Sequence, residues 1–134
     1  MRVVFDTNIF ISAFAIPGGH AEEAYLHAVR GTFELFTSVS ILTETVNTLR
    51  TKFEWSEEKV QRVLRSISQA ATVLKTQPHL HVLKDEPDNR ILEGALLAKA
   101  EIIVTGDRHL LSLKRHRGTS IVKLADFLDL LGRP

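Results

Sequence analysis

The sequence predicts an α/β fold: a central, mostly parallel sheet of four to five strands with helices on both faces. Three observations carry this. Val3-Val4-Phe5 and Ile102-Ile103-Val104 are short, continuous apolar runs, the pattern of strands buried on both faces. Between such runs lie stretches whose apolar residues recur at helical spacing. The two kinds of segment alternate along the 134-residue chain, as they do when parallel strands are joined by crossover helices.

After the first strand, residues 8–15 suit a helix, stopped by Pro17-Gly18-Gly19. A second helix over residues 20–30 has Ala24, Leu26, Ala28 and Val29 on its apolar side and ends at Gly31. Residues 33–37 read as a strand. Ser38 or Ser40 then caps a helix running to Lys52, with Ile41, Leu42, Thr45, Val46 and Leu49 on one face. Ser56-Glu57-Glu58 opens another helix through Val60, Val63, Leu64 and Ile67. Residues 71–74 and 81–83 are shorter strand candidates separated by Pro78. Asp85-Glu86-Pro87-Asp88 is a helix start leading into Ile91, Leu92, Ala95 and Leu96. Thr105-Gly106-Asp107 breaks the 102–104 strand, a short helix holds Leu110, Leu111 and Leu113, and residues 120–122 and 124–131 make the last strand and helix. With no internal repeat, low-complexity tract or linker, one domain over residues 1–134 is expected.

Composition narrows the function classes. A chain with 44% hydrophobic and 25% charged residues has the balance of a soluble globular protein, and a cytoplasmic location is expected. Arg2 is followed at once by a strand, so no secretory leader is expected. No apolar stretch approaches the roughly 20 residues that span a bilayer, so no membrane partner is expected. The absence of cysteine excludes disulfides, thiolate catalysis and cysteine-based zinc sites. A net charge of +1 gives no broad field for gripping nucleic acid. Any nucleic-acid contact would have to rest on a local cluster such as Lys114-Arg115-His116-Arg117, whose simpler reading is the solvated end of the helix over 108–115, where cations are favoured.

Four segments deliver an acid to one sheet edge. Asp6 follows the first strand, Glu44 lies beyond the second, Asp88 stands at a helix start, and Asp107 follows the 102–104 strand. In a parallel sheet all strand carboxyl ends share an edge, and ligands bind beyond it. Four converging carboxylates repel one another unless cations compensate. Hard divalent ions such as Mg2+ or Mn2+ do this through one or two carboxylates and several waters. Each acid also has a local alternative. Asp107 and Asp85 can cap helices, Asp88 can complete an acid-rich first turn, Glu44 can be a solvated helix residue, and Asp6 can hold a turn with Thr7 and Asn8. Capping alone does not explain acids at each step around one rim.

Asp6-Thr7-Asn8, the helical Glu44, Asp85-Glu86-Pro87-Asp88-Asn89 and the string Val-Thr-Gly-Asp-Arg-His-Leu-Leu at 104–111 together resemble a PIN domain across essentially the whole chain. The resemblance is closest to small bacterial and archaeal toxin components of toxin–antitoxin pairs, similar to VapC-type ribonucleases. It implies an α/β/α sandwich and metal-dependent cleavage of RNA phosphodiester bonds. By matching motif positions it implies Asp6, Glu44, Asp88 and Asp107 as the metal-binding acids, with Thr7, Asn8 and Thr105 orienting the carboxylates or a water. Asp85 adds an outer ligand or a helix cap. Glu93, five residues past Asp88, turns away around the helix and is left out. The family also implies a small antitoxin partner and a homodimer, for which the apolar faces over 41–49 or 60–67 are candidates if they are not core.

In-line hydrolysis of a phosphodiester needs an activated water and stabilised oxygens, which one or two divalent ions supply. No histidine has ligand spacing with a glutamate partner; His79 and His81 flank a connection, and His109 is expected on a helix surface. Two other functions compete. A phosphatase of the haloacid dehalogenase type would use Asp6 as nucleophile, but Asn8 stands where that chemistry wants a second acid. A PIN-like module that binds RNA or protein without cutting has no evident use for four converging carboxylates.

Overall fold

Val3, Val4 and Phe5 are all buried, as a strand covered on both faces requires. They lie in β1 (Arg2–Phe5), near the middle of a six-stranded sheet in a computed structural model that describes residues 1–132. The chain continues through α1 (Thr7–Ala15), α2 (His20–Val29), β2 (Glu34–Ser38), α3 (Val39–Thr51), α4 (Glu57–Ala70) and β3 (Ala71–Leu74). It then forms α5 (Glu86–Ala98), β4 (Ile102–Val104), α6 (Arg108–Leu113), β5 (Arg115–His116), β6 (Thr119–Val122) and α7 (Leu124–Leu130). The sheet order is β3-β2-β1-β4-β6-β5, parallel throughout except for the antiparallel edge strand β5. This is the expected α/β/α arrangement of a mostly parallel sheet between helices.

The order of strands fixes where a site can form. Connections from β1 run outward to β2 and β3, whereas β4 leads the other way to β6. Right-handed crossovers therefore place α1 to α4 on one face and α5 on the other. Strand order reverses between β1 and β4, and the crevice beyond their carboxyl ends is the usual ligand position in such sheets. Register carries Phe5 opposite Val104, so Asp6 and Thr105 emerge side by side.

Aromatic rings fill the layer over β1. Phe5 stands 5.5 Å from Phe10 and 6.1 Å edge-on from Phe127, and Phe127 lies 5.1 Å from Phe33. Ile41, Leu42, Val46, Leu49, Val60, Val63 and Ile67 are buried in the same core. The apolar faces of α3 and α4 are thus used internally and do not supply a dimer face. Ser38, not Ser40, caps α3, its Oγ accepting from the Ile41 N–H, and Ser56 caps α4 in the same way.

Two segments differ from the sequence-based expectation. Residues 81–83 form no strand. Their polar backbone is held by one side chain: Asn89 Oδ1 accepts from the Leu83 N–H at 2.9 Å, and Asn89 Nδ2 donates to the Leu83 carbonyl at 2.8 Å. Of the basic cluster at 114–117 only Lys114 stands at a helix end. Lys114, at φ 58°, terminates α6, and Arg115-His116 pairs with Ser120 and Thr119 as β5. Arg117 and Gly118 close this hairpin with φ of 48° and 87°, the positive pair that suits the twist of a two-residue hairpin turn.

Candidate active site

Asp6 leaves β1 and becomes the residue preceding α1 in extended conformation, and its side chain makes no capping bond. Its carboxylate is taken up elsewhere. The buried Thr105, next after β4, donates its hydroxyl to Asp6 Oδ2 at 2.6 Å, and the Asp107 backbone N–H donates to the Thr105 oxygen at 3.0 Å. This relay ties the ends of β1 and β4 together across a sequence separation of 99 residues. Burial is the main reason the Asp6 carboxyl lies above its ordinary range; the Thr105 bond opposes it and repulsion from Asp107 adds to it.

Glu44 comes from the middle of α3 and is half-buried. Thr7, buried at the start of α1, donates its hydroxyl to Glu44 Oε2 at 3.3 Å. The Glu44 carboxyl is also raised, by burial first and then by repulsion from Asp6, and Asp85 adds a smaller push. Asp88, in the first turn of α5, is raised furthest, to about 7. Burial leads, followed by repulsion from Asp107, Asp85, Asp6 and Glu44 in that order. Its Oδ2 is buried with no hydrogen-bond partner among the described residues.

Asp107 has two uses. Its Oδ1 accepts from the His109 and Leu110 N–H groups at 2.7 and 3.1 Å, so it does cap α6. Oδ2 takes no part in that cap. Asp85 occupies the cap position of α5 without a side-chain cap bond and is exposed. Asn8 is exposed as well, and it meets the acids through its backbone, which with that of Thr7 acts to lower the pKa of the Asp6 carboxyl.

The structure therefore brings Asp6, Glu44, Asp88 and Asp107 into one mutually repelling group, with Asp85 at its margin. Among the described residues no three acid or histidine side chains already close around a single point as a ligand cage. A hard divalent cation fits this arrangement better than a cage-seeking one, because Mg2+ takes one or two carboxylates and fills its octahedron with water. The unpartnered Asp88 oxygen and the raised acids are the observations that ask for a cation.

Glu93, left out of the acid set by the sequence reading, is held by other partners. Its fully buried carboxylate accepts from the His79 and Leu80 N–H groups at 2.6 and 2.8 Å and pairs with Arg90 at 2.7 Å. Burial acts to raise its pKa, but these partners outweigh it and leave the carboxyl below its usual range. Sequence reasoning did not foresee that Asn89, Arg90 and Glu93 together pin residues 79–83 over α5. The available signal was a run of polar residues entering an otherwise apolar helix, with Arg90 and Glu93 one turn apart.

Comparison with known proteins bears on the family and the fold. The family model described as PIN domain matches residues 2–109. An uncharacterized protein of Methanocaldococcus jannaschii is 31% identical over 118 residues, covering 85% of this chain and 76% of the relative. A chain in the crystal structure of VapBC2 from Rickettsia felis, bound to a DNA fragment from their promoter, superposes with a TM-score of 0.63. That match covers 92% of this chain and 98% of the other at 16% identity, and it shows a shared fold. No described helix is long and apolar enough to cross a membrane.

Proposed function

The chain belongs to the PIN domain family, and from that premise we propose that it is an Mg2+- or Mn2+-dependent endoribonuclease, the toxin component of a toxin–antitoxin pair. The observation that carries this reading is the convergence of Asp6, Glu44, Asp88 and Asp107 from four separate elements at the strand-order reversal, with three of them raised in pKa. Asp6, Asp88 and Asp107 would hold the cation, with Glu44 beside them. When bound, it supplies an activated water and neutralises charge on the phosphoryl and leaving oxygens.

The chain's own groups do the positioning. Thr105 holds the Asp6 carboxylate by donating to one of its oxygens, and the backbones of Thr7 and Asn8 support it from the start of α1. The Thr7 hydroxyl does the same for Glu44. Supporting partners of this kind commonly matter to metal sites about tenfold to a hundredfold. Asp85 lies at the edge, where it adds negative charge without being held by a protein partner.

An RNA substrate and a cytoplasmic site of action follow from the same reading. So does an inhibitory antitoxin, consistent with a fold shared with a chain of the VapBC2 complex. Incubating the purified protein with single-stranded RNA, with Mn2+ or Mg2+ and with chelator, tests the activity. Cleavage that requires metal and falls at least a hundredfold in Asp6→Asn is expected. If Asp6→Asn cuts as fast as the wild type and yields the same products, the reading fails. Turnover of a phosphomonoester through a phosphorylated Asp6 would instead favour the phosphatase chemistry.

A further inference from the structure

Beside the acids lies a cavity of about 390 Å³ that shares Asp88 with them and extends away from the other three. Val82, Leu83, Lys84 and Asp85 form one wall, His109 the other, and Asp88 reaches it from α5. Its size falls within the range of small-molecule pockets, roughly 300–1,000 Å³. The wall is preformed, because Asn89, fully buried, grips both the N–H and the carbonyl of Leu83. On the opposite side the His109 backbone N–H is tied to Asp107 Oδ1, which anchors the backbone from which its exposed ring projects.

The chemistry of the lining is mixed in a specific way. Val82 is 44% exposed, an apolar side chain left open on a rim otherwise full of acids. Lys84 is the one cation of the lining, and neither it nor the His109 ring has a side-chain partner among the described residues. An aromatic ring, an aliphatic wall and a cation next to a phosphate-cleaving centre match the parts of a nucleotide: a flat base and a flanking phosphate. Asp85 offers an acceptor that a ribose hydroxyl can meet.

We propose that this cavity is a nucleoside pocket that receives the unpaired base next to the scissile phosphate and thereby sets where RNA is cut. His109 and Val82 hold the base and Lys84 its phosphate, while Asn89 is a positioning residue for the wall. Unpaired bases stacked on aromatic side chains are the usual route to sequence-selective RNA binding. A paired base cannot enter, so the pocket also selects single strands.

This rests on the nuclease reading above, and two measurements separate the two. First, cleavage of a randomised single-stranded RNA pool in Mn2+ is mapped by sequencing the ends. The expected result is a base preference at one position flanking the cut that His109→Ala weakens about tenfold and His109→Phe retains, the scale of a lost stacking contact. Lys84→Ala should raise KM with little change in kcat. Unchanged preference and KM in both alanine variants overturn the pocket while leaving the nuclease intact. Second, nucleoside 5′-monophosphates are titrated into the metal-free protein and followed by NMR. Saturable shifts at the His109 ring and Val82 methyls, lost in His109→Ala, support the pocket even if no RNA is cut; no saturable shift at either residue overturns it.

Discussion

Thr105 donates its hydroxyl to Asp6 at 2.6 Å while accepting the N–H of Asp107 at 3.0 Å, so one buried side chain links two of the acids. Replacing it by valine keeps the shape and removes both roles. Thr105→Val is expected to lower kcat of RNA cleavage about tenfold to a hundredfold, whereas Thr105→Ser keeps most of it. Equal rates for the valine and serine variants would show that the hydroxyl is not needed.

Asp88 gives the metal-free protein an unusual pH dependence. Its folded pKa, about 7, lies above the ordinary value of 3.8. The folded protein holds a proton that the unfolded chain has already lost, so this stabilisation is complete below about pH 4 and disappears as pH rises through 7. Asp6 and Glu44 shift in the same direction. Urea unfolding in chelator should therefore show stability falling from pH 4 to pH 8. Asp88→Asn should flatten much of that slope, and Mn2+ should restore stability at pH 8 by binding the folded state. A slope unchanged in Asp88→Asn would assign the effect to other groups.

Capping and chemistry can be separated at Asp107. Asparagine caps helices about as well as aspartate, so Asp107→Asn should leave stability nearly unchanged and still abolish most cleavage. Asp107→Ala loses the acceptor of the His109 and Leu110 N–H groups and should cost about 1 kcal/mol in addition. Thermal melts of the two variants beside their cleavage rates make the comparison. Wild-type activity in Asp107→Asn would leave capping as the only role of this acid.

Asn89 predicts a structural effect. Asn89→Ala leaves the Leu83 N–H and carbonyl without their partner and should destabilise the protein by about 2–3 kcal/mol. Hydrogen exchange should rise first at residues 79–84 and not in β1 or β4. A loss of protection spread evenly over the sheet would mean that Asn89 acts on the core as a whole.

Asp6 and Asp107 were legible in the sequence because each follows a short apolar run, and such runs have one conformational meaning. The apolar faces of α3 and α4 were legible for the same reason. Residues 81–83 were not, because their alternating pattern resembles a strand, while their backbone partner, Asn89, lies on the following helix. Strand β5 escaped notice since Arg115-His116 carries no apolar signal and its hairpin depends on an arginine at positive φ. For Asp88, motif position pointed to the metal-binding role, but the unpartnered buried oxygen follows only from packing. Glu93 shows the limit well: nothing local announced the two backbone N–H groups it holds.

The place of β1 between β2 and β4 has a consequence for synthesis. The first strand made pairs on one side with Ile102–Val104, about a hundred residues later. Ribosomes deliver the chain from its amino end at roughly 5–20 residues per second. For several seconds, then, Asp6 exists without Thr105, Asp88 or Asp107, and no shorter nascent fragment carries the full set of acids. This topology leaves the acid cluster incomplete on the newborn chain until β4 and Asp107 have emerged.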